Sequence, residues 1–204
     1  MPSGPFGAVL CDLDNVIRFY DMAPLAELER AAGLPEGTTA QVAYAPEVDL
    51  PLLLGKITTA EWVDSVAAAL TGRVSRKQAG ELGTALAGAP FRADAEVVAL
   101  LRRARARLPL VLVTNATLEL ERDLAAMGLA DLAHHVVSSA RVGVAKPGRE
   151  IYEIAAARAG VPAHRCLFVD DRLENVEAAV ALGMTAVHYR EPADLDAVLS
   201  GSRP

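Results

Sequence analysis

Five short apolar runs punctuate the chain, each bounded by polar or turn-forming residues. They are AVLC (Ala8–Cys11), LPLVLVTN ending at Asn115, HHVVSS ending at Ser139, CLFVDD ending at Asp171 and TAVHY ending at Tyr189. None is long enough for a free-standing helix. Their Val and Leu content, with little polar alternation, predicts strands buried on both faces. Between the later runs lie segments of helical periodicity, LELERDLAAMG, GREIYEIAAARAG and ENVEAAVALG. These close on Gly128, Gly160 and Gly183, as helix C-termini favour. Strand and helix alternate from about Asp94 onward, which predicts parallel βαβ units with right-handed crossovers.

The stretch 17–91 follows another pattern. It offers helical periodicity only, in MAPLAELERAAG, TTAEWVDSVAAAL and SRKQAGELGTALAG, and no strand run of the core type. GAPFRAD reads as the linker that returns to the core. The prediction is an α/β chain: a parallel-sheet core from 1–16 and 92–204, with a small helical cap inserted at 17–91. Trp62 and Phe91 read as core anchors of that cap before substrate contacts. Arg18, Tyr20 and Asp21, just beyond the first strand, are candidates for touching a substrate where cap and core meet.

Composition narrows the classes. Of 204 residues, 52% are hydrophobic and 23% charged, which supports a buried core and excludes disorder as the main state. The net charge of −6 argues against a broad nucleic-acid face, without opposing a small anionic substrate. The two cysteines, Cys11 and Cys166, both lie in apolar runs and read as small buried hydrophobes, not a disulfide or metal pair. That usage suits a reducing cytoplasm, the expected location. MPSGPFG lacks the basic and apolar regions of a secretory signal, and no run reaches membrane-span length, so a soluble protein without a membrane partner is expected. Oligomeric state leaves no mark. RRARAR (102–107) reads as a solvated helix end suited to the helix dipole. His134, His135, His164 and His188 have no ligand spacing and receive no chemistry.

In a parallel sheet, ligands bind beyond the carboxyl ends of the strands. That rule gathers Asp12 and Asp14, Thr114 and Asn115, Lys146 in VGVAKPG, and Asp170 and Asp171 on one rim. Aspartate oxygens are hard ligands that suit Mg²⁺. Clustered carboxylates repel, and a dication together with the Lys146 ammonium offsets that repulsion. A phosphate then completes the arrangement, with the Thr114 hydroxyl, backbone N–H groups near Asn115 and Lys146 as its partners. Asp12 is the candidate nucleophile, able to form an aspartyl-phosphate, and Asp14 the candidate acid and base. Asn175 either reaches the metal shell or begins a helix, and the helix is the preferred reading.

DLDNVI, VLVTN, AKPG and FVDDRLENVEAAVALGM, in that order, resemble the four motifs of the haloacid dehalogenase-like hydrolase superfamily. The branch with a small helical cap between its first and second motifs is the most similar. The resemblance implies a Rossmann-like three-layer core and an Mg²⁺-dependent aspartyl-phosphate mechanism. It implies Asp12 as nucleophile, and Asp14 as acid and base with a backbone carbonyl on the metal. Thr114 and Lys146 would bind phosphate, Lys146 also steadying the nucleophile, while Asp171, helped by Asp170, would complete the metal site. Many members carry Gly where this chain has Asn15, a residue that tolerates left-handed backbone. Family dehalogenases usually lack the second aspartate, so Asp14 points to a phosphatase. The expectation is therefore an Mg²⁺-dependent phosphatase acting on a small phosphorylated metabolite. The alternatives are a phosphomutase on sugar phosphates and a non-catalytic phosphate-binding regulatory module.

Overall fold

The computed structural model describes residues 5–200. The first four residues, part of the N-terminal stretch discussed above, and the last four lie outside the described residues. The strands in chain order are β1 (Ala8–Cys11), β2 (Arg18–Tyr20), β3 (Phe91–Ala93), β4 (Leu110–Thr114), β5 (His135–Ser138), β6 (Cys166–Asp170) and β7 (Thr185–His188). The helices are α1 (Ala23–Ala31), α2 (Thr38–Ala43), α3 (Pro46–Leu53), α4 (Thr59–Ala69), α5 (Arg76–Ala87), α6 (Ala95–Arg105), α7 (Leu120–Ala126), α8 (Ser139–Val142), α9 (Arg149–Ala159), α10 (Leu173–Ala181) and α11 (Pro192–Ser200). Two compact units result, one built up to Phe19 and again from Arg92, the other spanning Tyr20–Phe91.

The first unit is a parallel sheet in the order β5-β4-β1-β6-β7. Alternate residues of each strand feed two separate cores. Val9, Cys11, Leu110, Leu112, Leu167 and Val169 pack with Leu101 of α6 and Leu120 and Leu124 of α7. Leu10, Val111, Val113 and Phe168 pack on the other face with Ile151, Tyr152 and Ala155 of α9. Both faces are thus covered by helices, which is why the runs are apolar throughout. This is the three-layer, Rossmann-like arrangement. Cys11 and Cys166 are free and buried within these cores. Beginning at β1, the chain winds outward through β4 to β5, then returns to the other side of β1 for β6 and β7. The topological switch therefore falls between β1 and β6, where such sheets open a crevice at their carboxyl ends. Among the described residues no helix is long and apolar enough to cross a membrane.

The second unit has its own core of Leu25, Leu52, Trp62, Val66, Leu70, Leu82 and Leu86. Helices α4 and α5 announce themselves through capping boxes, Thr58 with Glu61 and Ser75 with Gln78. Two helices escaped the sequence reading. At α2 no side chain of the N-cap residue, Gly37, can cap it. The buried Glu29 carboxylate of α1 instead accepts from Gly37 N at 2.7 Å and Thr39 N at 2.6 Å, a partner that no local pattern reveals. In α3, Pro46 opens the helix and Pro51 interrupts its donors. A further correction concerns strands: β2 and β3 form a two-stranded sheet at the two ends of a stretch expected to be wholly helical. Three-residue strands are too short to show a period. Phe91 meets Tyr20 edge-on, with ring centroids 5.8 Å apart.

Helix α5 carries two glycines in unlike surroundings. A Cβ at Gly83 would lie 3.1 Å from the Val63 carbonyl oxygen of α4, whereas one at Gly80 would meet nothing within 4 Å. Gly80→Ala should therefore stabilise the protein by about 0.5–1 kcal/mol through helix propensity. Gly83→Val should destabilise it by about 1–3 kcal/mol by forcing the helices apart. Urea denaturation checks both, and equal effects at the two positions would contradict this packing.

Candidate active site

Asp12 stays in the ladder after β1, its N–H donating to the Val169 carbonyl at 2.9 Å. The chain then turns tightly: Ile17 N and Arg18 N both donate to Leu13 O at 2.8 Å, and Asn15 N donates to Arg18 O at 2.9 Å. Asn15 sits at φ 59°, the left-handed region, which Asn tolerates better than most residues, so the turn forms here without Gly. Its side-chain Nδ2 donates to Asp171 Oδ2 at 3.0 Å, joining the first motif to the last.

Lys146 lies at the centre. Its Nζ is 2.7 Å from Asp12 Oδ1 and 2.7 Å from Asp170 Oδ2, and all three side chains are at least nine-tenths buried. The backbone of Lys146 is clasped by Asn115, whose Nδ2 donates to Lys146 O at 2.9 Å while Lys146 N donates to Asn115 Oδ1 at 2.8 Å. The Asn115 side chain is thus engaged in placing the lysine, a role apart from the backbone N–H groups near it that are expected to meet a phosphate. Asp170 is saturated: Oδ1 accepts from Arg172 N and Asn175 Nδ2 at 2.9 Å, and Oδ2 accepts from Lys146 and from Asn175 at 3.1 Å. Asn175 is in the first turn of α10, the preferred reading, and its side chain braces Asp170. Its carbonyl accepts from Tyr152 Oη at 3.1 Å. Tyr152 stacks edge-on against Phe168, over whose ring Lys146 Nζ stands at 5.9 Å.

One oxygen from each of Asp12, Asp170 and Asp171 lies within 4.8 Å of the other two. Leu13 N donates to Asp12 Oδ1 at 2.7 Å, so the contacts on Asp12 fall on that oxygen and not on Oδ2. Burial is the largest influence on Asp12; the Lys146 ammonium opposes it and Asp170 adds to it, leaving the carboxyl raised to about 7. Asp171 is also raised, by burial first, against the hydrogen bond from Asn15. Burial pulls the lysine down, and the two carboxylates outweigh it, so Lys146 ends above its ordinary value and stays charged. Thr114 ends β4 fully buried, and its Oγ1 has no hydrogen-bond partner among the described residues. Asp14 faces Arg18 instead of this cluster's lysine, with Arg18 Nε donating to Oδ1 at 2.6 Å. Of the other candidates for substrate contact, Asp21 accepts from Ala23 N at 3.0 Å ahead of α1. His188 Nε2 is 2.9 Å from the Asp171 carbonyl, a backbone brace that its position in the sequence does not reveal.

A family model described as haloacid dehalogenase-like hydrolase matches residues 6–183. The chain belongs to that family. Sesquiterpene phosphatase astK of Aspergillus oryzae is 35% identical over 103 residues, 50% of this chain and 53% of that protein. Phosphatase MT3486 of Mycobacterium tuberculosis is 35% identical over 106 residues, 46% of this chain and 49% of that one. The chain thus spans about half the length of the curated relatives it matches. In fold, this haloacid dehalogenase-like hydrolase is similar to a HAD family enzyme of Bacteroides thetaiotaomicron in complex with magnesium and inorganic phosphate. The TM-score is 0.70 at 20% identity, covering 91% of this chain and 94% of that one. It is also similar to the L-2-haloacid dehalogenase of Xanthobacter autotrophicus, with a TM-score of 0.64 at 19% identity, covering 98% and 85%.

Asp12 keeps its proton to about pH 7 when folded, whereas an unfolded aspartate releases it near 4. The folded state then binds the extra proton between those values, so stability falls as pH rises through that window and levels off above it. The unfolding free energy of metal-free protein, measured by urea against Asp12→Asn, should decline from about pH 4 to about pH 7 and change little above that. A flat or rising difference would contradict the burial of this carboxyl.

Proposed function

We propose that this hydrolase is an Mg²⁺-dependent phosphatase that acts on a small phosphorylated metabolite through an aspartyl-phosphate. The observation that carries this reading is the gathering of the Asp12, Asp170 and Asp171 carboxylates with the Lys146 ammonium between Asp12 and Asp170, while Thr114 ends the neighbouring strand β4 with a buried hydroxyl that has no partner among the described residues. Two phosphatase-named relatives, and the magnesium and phosphate bound by the Bacteroides enzyme, support it.

The residues present fit a dication. Three close carboxylates face one buried ammonium, an excess of two negative charges that a hard divalent ion matches. Asp12 and Asp171, with the Asp14 backbone carbonyl, would hold it; Asp170 has both oxygens engaged and serves to fix Lys146 and Asn175. Bound Mg²⁺ supplies charge neutralisation between these carboxylates and a phosphate.

The side chains then divide the work. With Oδ1 held by Leu13 N and Lys146, Asp12 presents Oδ2 as the attacking oxygen. As the Asp12 oxygen bonds to phosphorus, the ester oxygen leaves and takes a proton from Asp14. Asp14 next takes a proton from water, whose oxygen bonds to phosphorus as the Asp12 bond breaks, and free phosphate and the starting carboxylate result. Lys146 and Thr114 hold non-bridging phosphoryl oxygens. The inserted helical unit is the proposed cap, the segment that would select the leaving group.

Asp12→Asn should lower turnover of p-nitrophenyl phosphate by about 10³-fold or more. EDTA should abolish wild-type turnover, and added Mg²⁺ should restore it. A variant that keeps most of its activity, or turnover indifferent to chelation, would overturn the proposal.

A further inference from the structure

Asp14 is held by one guanidinium. Arg18 Nε donates to Asp14 Oδ1 at 2.6 Å and Nη2 donates to Oδ2 at 3.0 Å, so both oxygens are gripped in a fork. The third nitrogen, Nη1, donates to Asp123 Oδ2 at 3.0 Å, on α7. The arginine side chain is 4% exposed, against 31% for Asp14 and 17% for Asp123. The backbone prepares this pairing: Asn15 N donates to Arg18 O and Arg18 N to Leu13 O, bringing residue 18 back beside residue 14.

A bidentate guanidinium fixes a carboxylate in plane and direction, which an ammonium cannot do. Helix α7 follows the strand that ends in Thr114, so Arg18 ties the turn after β1 to the element after β4. We propose that Arg18 is a positioning residue for Asp14, anchored by Asp123, and that the pair sets how well a proton reaches the leaving group. This rests on the reading of Asp14 as acid and base. The proton in question moves from the Asp14 carboxyl to the ester oxygen as the P–O bond breaks, so its placement matters most for a poor leaving group. An oxygen that departs readily as an anion needs little help.

The test compares substituted phenyl phosphates of increasing leaving-group basicity in the wild type, Asp14→Asn, Arg18→Lys and Asp123→Ala. The expected result is a loss of kcat on phenyl phosphate of about tenfold or more in both Arg18→Lys and Asp123→Ala, with a clearly smaller loss on p-nitrophenyl phosphate. Asp14→Asn should steepen the same dependence further. Thermal unfolding checks that the variants fold, and if Arg18→Lys does not, Asp123→Ala decides alone. Equal losses on both esters, or no loss, in folded variants while Asp14→Asn shows the dependence would overturn the role of Arg18 alone. If Asp14→Asn shows no such dependence, the reading of the site falls, and the role of Arg18 with it.

Discussion

One buried ammonium joins the ends of two strands that would otherwise repel each other. Asp12 follows β1 and Asp170 ends β6, and the sheet sets these strands side by side. Two carboxylates at such a distance in an apolar surround are costly, and removing their shared cation would leave both uncompensated. The surroundings follow from that need. Asn115 grips the lysine backbone, Asn175 and the Arg172 N–H satisfy the rest of Asp170, and Tyr152 supports the Asn175 carbonyl. Little of this network lies on the surface.

Topology places the cluster. The interior of each strand is apolar on both sides, so polar groups are tolerated only where a strand emerges. The order β5-β4-β1-β6-β7 puts β1 between the strands that carry Thr114 and Asp170. Motifs separated by more than a hundred residues in the chain thereby become neighbours, with Asp12 following β1 and Asp171 following β6 at the topological switch. The tight turn after Asp12 adds a second tier, since it directs Asn15 to Asp171 and Asp14 to Arg18.

Much of this was legible in the amino-acid sequence. Strands buried on both faces leave unbroken apolar runs, and glycine ends at Gly128, Gly160 and Gly183 adopt the left-handed backbone that a helix stop requires. Strand ends then point to Asp12, Thr114 and Asp170, and the VGVAKPG loop to Lys146. What stayed hidden depends on tertiary partners. Strands β2 and β3 are defined by each other and not by a pattern, and α2 is capped by a glutamate from another helix. Likewise, nothing in VLVTN says that the Asn115 side chain will turn to the lysine backbone, and nothing in DLDNVIR says that Arg18 will bracket Asp14. Such contacts are choices among hydrogen-bond partners that only folding brings within reach.

The central claim is that these strand ends form one site for a cation and a phosphate. A crystal structure grown with Mg²⁺ and tetrafluoroaluminate, a mimic of the transferring phosphoryl group, tests it most directly. The account predicts the ion on the carboxylates of Asp12 and Asp171, with the fluoroaluminate in line with Asp12 Oδ2 and within hydrogen-bond reach of Thr114 Oγ1 and Lys146 Nζ. Magnesium bound elsewhere, or the mimic seated away from Asp12, would contradict it.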